Sequence, residues 1–126
     1  MNDKGFFISR LQSILIALEG IKSVFVTQQN ARIHAVFTLV VFLFAWLLQL
    51  PRGDWISLLL TVGLVWTAEI FNTAIEVVVD VISPEPHPKA KLIKDISAGA
   101  VLLSVLVSIV VGILIFGPPL WVWINS

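Results

Sequence analysis

Apolar and polar positions divide this 126-residue chain into four blocks. From Phe6 to Phe25, apolar residues recur at Phe7, Leu11, Ile14, Leu18, Ile21 and Phe25, with Arg10, Gln12, Glu19, Lys22 and Ser23 elsewhere. Steps of three and four predict an amphipathic helix over about 6–26 that lies in a membrane interface rather than crossing it. A polar break, Thr27-Gln28-Gln29-Asn30-Ala31-Arg32, then leads into an apolar run over about 33–50, close to the lower limit of ~17 residues for a span. Pro51-Arg52-Gly53-Asp54 makes a turn into a second run over about 55–82. Ser83-Pro84-Glu85-Pro86-His87-Pro88 cannot continue a helix, because its prolines lack N–H donors and restrict the residues before them. A third run over about 96–116 is expected to end at the Gly117-Pro118-Pro119 break, and Trp46, Trp55, Trp121 and Trp123 suit an interfacial belt.

These blocks predict an all-α membrane protein, one surface helix and three transmembrane helices in a single domain, 1–126. Composition agrees. Hydrophobic residues make up 58% of the chain and charged residues 13%, and the mean hydropathy is +0.99, whereas a soluble domain carries about 25% charged residues. The net charge of zero supplies no basic surface for nucleic acid, and the absence of cysteine removes disulfides and thiolate metal sites. The opening Met-Asn-Asp-Lys lacks the short apolar core and small-residue site of a removable signal peptide, so the helices are expected to insert as they stand.

Orientation follows from the bases. Lys4, Arg10, Lys22 and Arg32 precede the first span, and Lys89, Lys91 and Lys94 lie between the second and third, while Arg52 alone occupies the other loop. The positive-inside rule then places the N-terminus and the 83–95 loop in the cytoplasm.

The second span carries the chemistry. At 100° per residue, Glu69, Asn72, Thr73, Glu76 and Asp80 fall in a stripe roughly 100° wide on one helical face. With a rise of 1.5 Å per residue, Glu69 lies roughly 21 Å and Asp80 roughly 37 Å along the helix, against a hydrocarbon core of about 30 Å. An acid near the bilayer centre costs about 2.5–3.5 kcal/mol on insertion and ordinarily marks function. Asn and Thr alone would explain interhelical glue, but glue does not require three carboxylates.

Basic side chains suit phosphate oxygens. Two acids a turn or two apart can hold Mg²⁺ with positions open for nucleotide phosphates, and a deeper acid can take a proton from a lipid hydroxyl. Glu69, the deepest acid, is the natural base, and Glu76 the natural metal ligand of a phosphoryl-transfer site. No G-x-x-x-x-G-K-[ST] or G-x-G-x-x-G loop is present, so side chains and metal would hold any nucleotide. Spacing alone leaves open a proton or ion pathway lined by Glu69, Glu76 and Asp80, or a non-catalytic assembly subunit.

The run from Glu69 to Asp80, E-I-F-N-T-A-I-E-V-V-V-D, resembles the signature helix of the bacterial integral-membrane diacylglycerol kinase and undecaprenol kinase family. The likeness extends back to Asn30-Ala31-Arg32-Ile33-His34 and forward through His87-Pro88-Lys89-Ala90-Lys91 and Lys94 to Val101. It implies a homotrimer in the bacterial inner membrane that transfers the ATP γ-phosphate to a membrane lipid alcohol with Mg²⁺. By the same resemblance Glu69 is the catalytic base, Glu76 a magnesium ligand and Asn72 its ordering partner. Lys94, Asp95, Glu85 and His87 face the nucleotide, with Arg10 at phosphate or headgroup, and Asn30, Arg32, His34, Glu69 and Ala98 lie along the lipid. Asp80 matches the signature as a helix-end or inter-subunit contact or as a direct participant.

One position departs from the family's pattern. Where the family carries a glutamate as second metal ligand, this chain has Gln28, whose amide oxygen can bind Mg²⁺ without contributing charge. A catalytically altered homologue is the alternative that this residue raises. His34 and His87-Pro88 lean toward the undecaprenol branch, since the diacylglycerol branch tends to carry an acid at the position of His34.

Overall fold

A computed structural model describes residues 3–126 as four helices. Met1 and Asn2 of the expected signal-free N-terminus lie outside the described residues, as do the side chains of Asp3 and Lys4, so Lys4 of the basic count is not placed. In chain order the helices are α1 (Asp3–Thr27), α2 (Gln29–Leu47), α3 (Arg52–Ile82) and α4 (Pro88–Ile124). The last three are long and apolar enough to cross a membrane.

The joints explain where the helices stop. Gln28 alone separates α1 from α2, with extended angles (φ −104°, ψ 119°), and its side chain makes no capping bond. At the end of α2, the Leu50 N–H donates to the Ala45 carbonyl and the Gln49 N–H to the Trp46 carbonyl, both at 3.1 Å. This pair of bonds is a Schellman motif, closed by Gln49 in the left-handed region at φ 51°. Its apolar clasp is visible too, since Ala45 and Leu50 are buried together with Leu58 of α3. Pro51 precedes α3 with Asp54 in the first turn, favourable at the positive end of a helix dipole. His87 caps α4, its Nδ1 accepting from the Lys89 N–H at 3.1 Å, with Pro88 at the first helical position.

The most extensive pairing is α3 against α4, while α1, α2 and α3 make smaller contacts with one another. α3 buries Leu58, Val65, Glu69, Thr73 and Val79, and α4 buries Ser97 and Ser104. Small residues let membrane helices approach closely, where packing rather than water exclusion drives association. Two of these hydroxyls bond carbonyls of their own helix, Thr73 to Glu69 and Ser104 to Val101, which leaves them no hydroxyl hydrogen to satisfy in lipid. At the α2–α3 turn the core is Ala45, Leu50 and Leu58, with Phe42 stacked on Trp55 at 5.8 Å between ring centres. Trp55 is therefore packed between helices, whereas Trp46, Trp121 and Trp123 are exposed.

Two elements differ from the hydrophobic pattern. α4 starts earlier than the uncharged run and continues through Pro118 and Pro119 to Ile124. The prolines withhold two N–H groups from the carbonyls of Leu114 and Ile115, which bends or weakens a helix without forbidding it inside a membrane. α1 is helical, but Ile8, Leu15 and Ile16 fall outside the Phe7–Phe25 stripe and are exposed like the stripe itself. Val24 is its one buried residue among the described residues. Near that end Phe25 stacks on Trp66 of α3, 4.8 Å between centres.

Candidate functional site

The stripe on α3 is buried at its deep end and opens toward the 83–87 loop. Glu69 is 2% exposed and Thr73 7%, Asn72 and Glu76 are half-buried, and Asp80 is exposed. A 100°-wide stripe touches two neighbours, and the side chains divide between them. Glu69 turns to α2, with its Oε1 2.8 Å from His34 Nε2. The ring N–H does not point along this contact, so Oε1 is buried with no aligned hydrogen-bond donor among the described residues. Asn72 turns to α4. It accepts the Ser97 hydroxyl hydrogen at Oδ1 and donates through Nδ2 to Glu76 Oε1 at 3.1 Å. Farther out, Lys94 of α4 bridges to Asp80 of α3.

Behind His34 a second set of bonds fixes the α2 backbone. The Thr38 hydroxyl donates to the His34 carbonyl at 2.8 Å, and the Trp66 indole N–H donates to that hydroxyl oxygen at 3.2 Å. Since Trp66 also stacks on Phe25, one indole ties α1 and α2 to α3, one turn before Glu69.

At the loop, a cavity of about 700 Å³ is lined by Asp80, Glu85, His87, Lys91 and Lys94. It brings three of the expected nucleotide residues, Glu85, His87 and Lys94, to one place. Asp95 is not among them. Consecutive helical residues point 100° apart, and Asp95 pairs with Lys91 on the exposed face of α4. Ser83 holds the loop from its first residue, its hydroxyl donating to the Glu85 carbonyl at 3.0 Å. A mostly apolar groove of about 540 Å³ flanks the same crossing, lined by Ile75, Val78, Ile82 and Ile93, with Lys89 at its edge. A further groove of about 400 Å³ runs along α3 and α4 past Asn72 and Ser97, between Phe71, Leu64, Leu103 and Val107.

Other expected residues lie apart. Arg10 is on α1 with its guanidinium 4.8 Å over the Phe6 ring. Asn30, Arg32 and Ala98 are exposed, and Gln28 is half-buried at the α1–α2 joint. Among the described residues no group of three or more His, Cys, Asp or Glu side chains is placed to hold a metal ion. Mg²⁺ does not demand such a cage, since it keeps waters and is ordinarily bound through one or two carboxylates plus substrate phosphates. Glu76 fits that role, because the Asn72 amide occupies one of its oxygens and orients the other.

Sequence reasoning missed Ser97 and the pairing of His34 with Glu69. Both had a signal: His34 and Glu69 lie at equal chain distances on either side of the Pro51–Arg52 turn, which puts them at one depth in an antiparallel hairpin.

Comparison with known proteins identifies the family. The family model for prokaryotic diacylglycerol kinase matches residues 15–116, which include all of α2 and α3. An undecaprenol kinase of Bacillus subtilis is 37% identical over 109 residues, covering 86% of this chain and 89% of that protein. A diacylglycerol kinase of Synechocystis is 40% identical over 111 residues, covering 87% of this chain and 63% of that protein. A diacylglycerol kinase of Escherichia coli is 30% identical over 92 residues, covering 73% and 75%. With three spanning helices, the α3 signature and matches of this extent, the chain belongs to the prokaryotic diacylglycerol kinase family of membrane lipid kinases.

Proposed function

We propose that this protein is an ATP- and Mg²⁺-dependent kinase that transfers the γ-phosphate to the hydroxyl of a membrane lipid alcohol, undecaprenol ahead of diacylglycerol. The observation that carries the reading is the buried Glu69 carboxylate, at the deep end of a polar stripe that opens onto the charged cavity of the loop. A base at that depth meets a hydroxyl presented by a lipid, and the cavity at the other end meets a soluble phosphate donor. Glu69 takes the hydroxyl proton, the lipid oxygen attacks the γ-phosphorus, and ADP leaves.

Glu76 and Gln28 are the residues assigned to Mg²⁺, which when bound neutralises phosphate charge. Asn72, held by Ser97, keeps Glu76 aimed. Lys94, Glu85 and His87 border the nucleotide phosphates, with Asp95 and Arg10 at its periphery. Asn30, Arg32, His34 and Ala98 line the lipid. The assembly is a homotrimer in the bacterial inner membrane, with α1 lying along the cytoplasmic surface by its Phe7–Phe25 stripe and the 83–95 loop on the same side. Its support is the bias of the bases and the large apolar surface that each chain leaves uncovered.

The test is phosphate transfer from ATP by the purified protein with Mg²⁺ and a panel of undecaprenol, a shorter polyprenol and diacylglycerol. Product on the polyprenols identifies a carrier-lipid kinase, and product on diacylglycerol a phosphatidate-forming one. The missing charge at Gln28 favours one second reading, a catalytically altered homologue. Lack of product from an intact oligomer, with transfer restored by Gln28→Glu, would select it.

A further inference from the structure

We propose that His34 is the counter-charge of Glu69: as an imidazolium it keeps the buried acid ionised and turns one carboxylate oxygen toward itself, leaving the other for the substrate hydroxyl. The inference rests on the reading of Glu69 as the base. It gives His34 a positioning role in addition to its place along the lipid.

Three observations converge. First, Glu69 Oε1 is fully buried with no aligned hydrogen-bond donor among the described residues, yet His34 Nε2 is 2.8 Å away. A carboxylate in a low-dielectric interior needs compensation, and attraction between charges does not depend on N–H alignment as a hydrogen bond does. Second, no other cation competes. Among the described residues, His34 is the one ion-pair partner of Glu69 within 4 Å, and Glu69 that of His34. Lys94 of α4 is engaged by Asp80, about three turns farther along α3, α4 faces His34 with Ser108, and α1 adds no acid at ion-pair distance.

Third, the other side of His34 suits a cation. The ring borders a cavity of about 100 Å³ between α2, α3 and α4, whose remaining polar side chains are Thr38, Thr61 and Ser108. Each of these hydroxyls has its own hydrogen committed to a backbone carbonyl, of His34, Ser57 and Val105 respectively. The wall therefore presents oxygen lone pairs and no free hydroxyl hydrogen. It favours a protonated imidazole, or a water that accepts from one, over a neutral ring seeking a donor.

During transfer the hydroxyl O–H bond breaks and its proton goes to the second Glu69 oxygen. The lipid oxygen bonds to the γ-phosphorus, and the bond from that phosphorus to the bridging oxygen of ADP breaks. His34 contributes no atom to this step.

The test uses His34→Gln, which keeps a donor amide but no charge, and His34→Lys, which restores charge, in the full-length protein in detergent–lipid micelles. His34→Gln is expected to lower kcat roughly 10- to 100-fold with KM for ATP unchanged, and to be partly rescued by lysine. Infrared spectra provide a readout that does not need turnover. The carboxylate band lost in Glu69→Gln marks Glu69, and in His34→Gln it is expected to give way to a protonated carbonyl band at neutral pH. An unchanged carboxylate band, or full kcat in His34→Gln, would overturn the proposal. If wild-type protein phosphorylates no lipid alcohol yet the band responds as stated, the kinase reading fails and the pairing stands.

Discussion

Glu69 and Glu76 are two turns apart on one helix, yet their surroundings give them different work. Glu69 has 2% of its surface exposed and an imidazole at 2.8 Å, whereas Glu76 is half-buried and receives an amide hydrogen. Replacing Glu69 by glutamine preserves shape and removes the proposed base. Transfer to lipid is expected to fall by about 10² to 10⁴, while the elution volume on size exclusion is unchanged; retention of full rate would remove Glu69 from its proposed role. Ser97 acts at one remove. Ser97→Ala strips the donor from Asn72 and is expected to cost about 1 kcal/mol, or roughly fivefold, seen as a higher KM for Mg·ATP with little change in kcat. Ser97→Thr should keep the hydroxyl and the wild-type KM.

At the scale of the element, the caps are the places where local sequence and geometry pull apart. Gln49 occupies a left-handed position that glycine fills without strain. Gln49→Gly is therefore expected to raise the unfolding midpoint in detergent, by about 1 kcal/mol at most, and Gln49→Val to lower it. His87 has two claims on it, as the cap of α4 and as a wall of the loop cavity. Asparagine is a strong cap, so His87→Asn should leave stability intact, and a rise in KM for ATP in that variant would isolate a nucleotide contact from capping. The spans and the stripe were legible because hydrophobic run length and 100° periodicity are local properties. Asn72 and Glu76 could be paired from their i, i+4 spacing alone. The partners Ser97 and Lys94 could not, because they depend on how α4 rotates against α3. Nor could the passage of α4 through Pro118 and Pro119, whose missing N–H donors ordinarily end a helix.

For the whole molecule, the large fact is uncovered apolar surface. Phe37, Leu60, Phe71, Leu103 and Leu114 are all well exposed, and lipid can cover them as readily as another chain. The acids argue for another chain, since α2 and α4 leave Asp80 open and Glu76 only half-covered. Crosslinking in a mild detergent is expected to give an oligomer of fixed size, and a strict monomer with full transfer activity would show that one chain suffices. The joint at Gln28 bears on such experiments. α1 joins α2 through a single non-helical residue and is held near that end by the Phe25–Trp66 stack, and Arg10 lies on the order of 27 Å along it at 1.5 Å per residue. A 10° turn at that joint swings Arg10 by about 5 Å, more than the length of a hydrogen bond. Gln28 is thus both a proposed ligand position and the joint of α1, and substitutions there report on two quantities at once. Glutamate changes the charge and leaves the joint's stiffness nearly alone, whereas glycine frees the joint and removes the proposed ligand; only the first can be read as coordination chemistry.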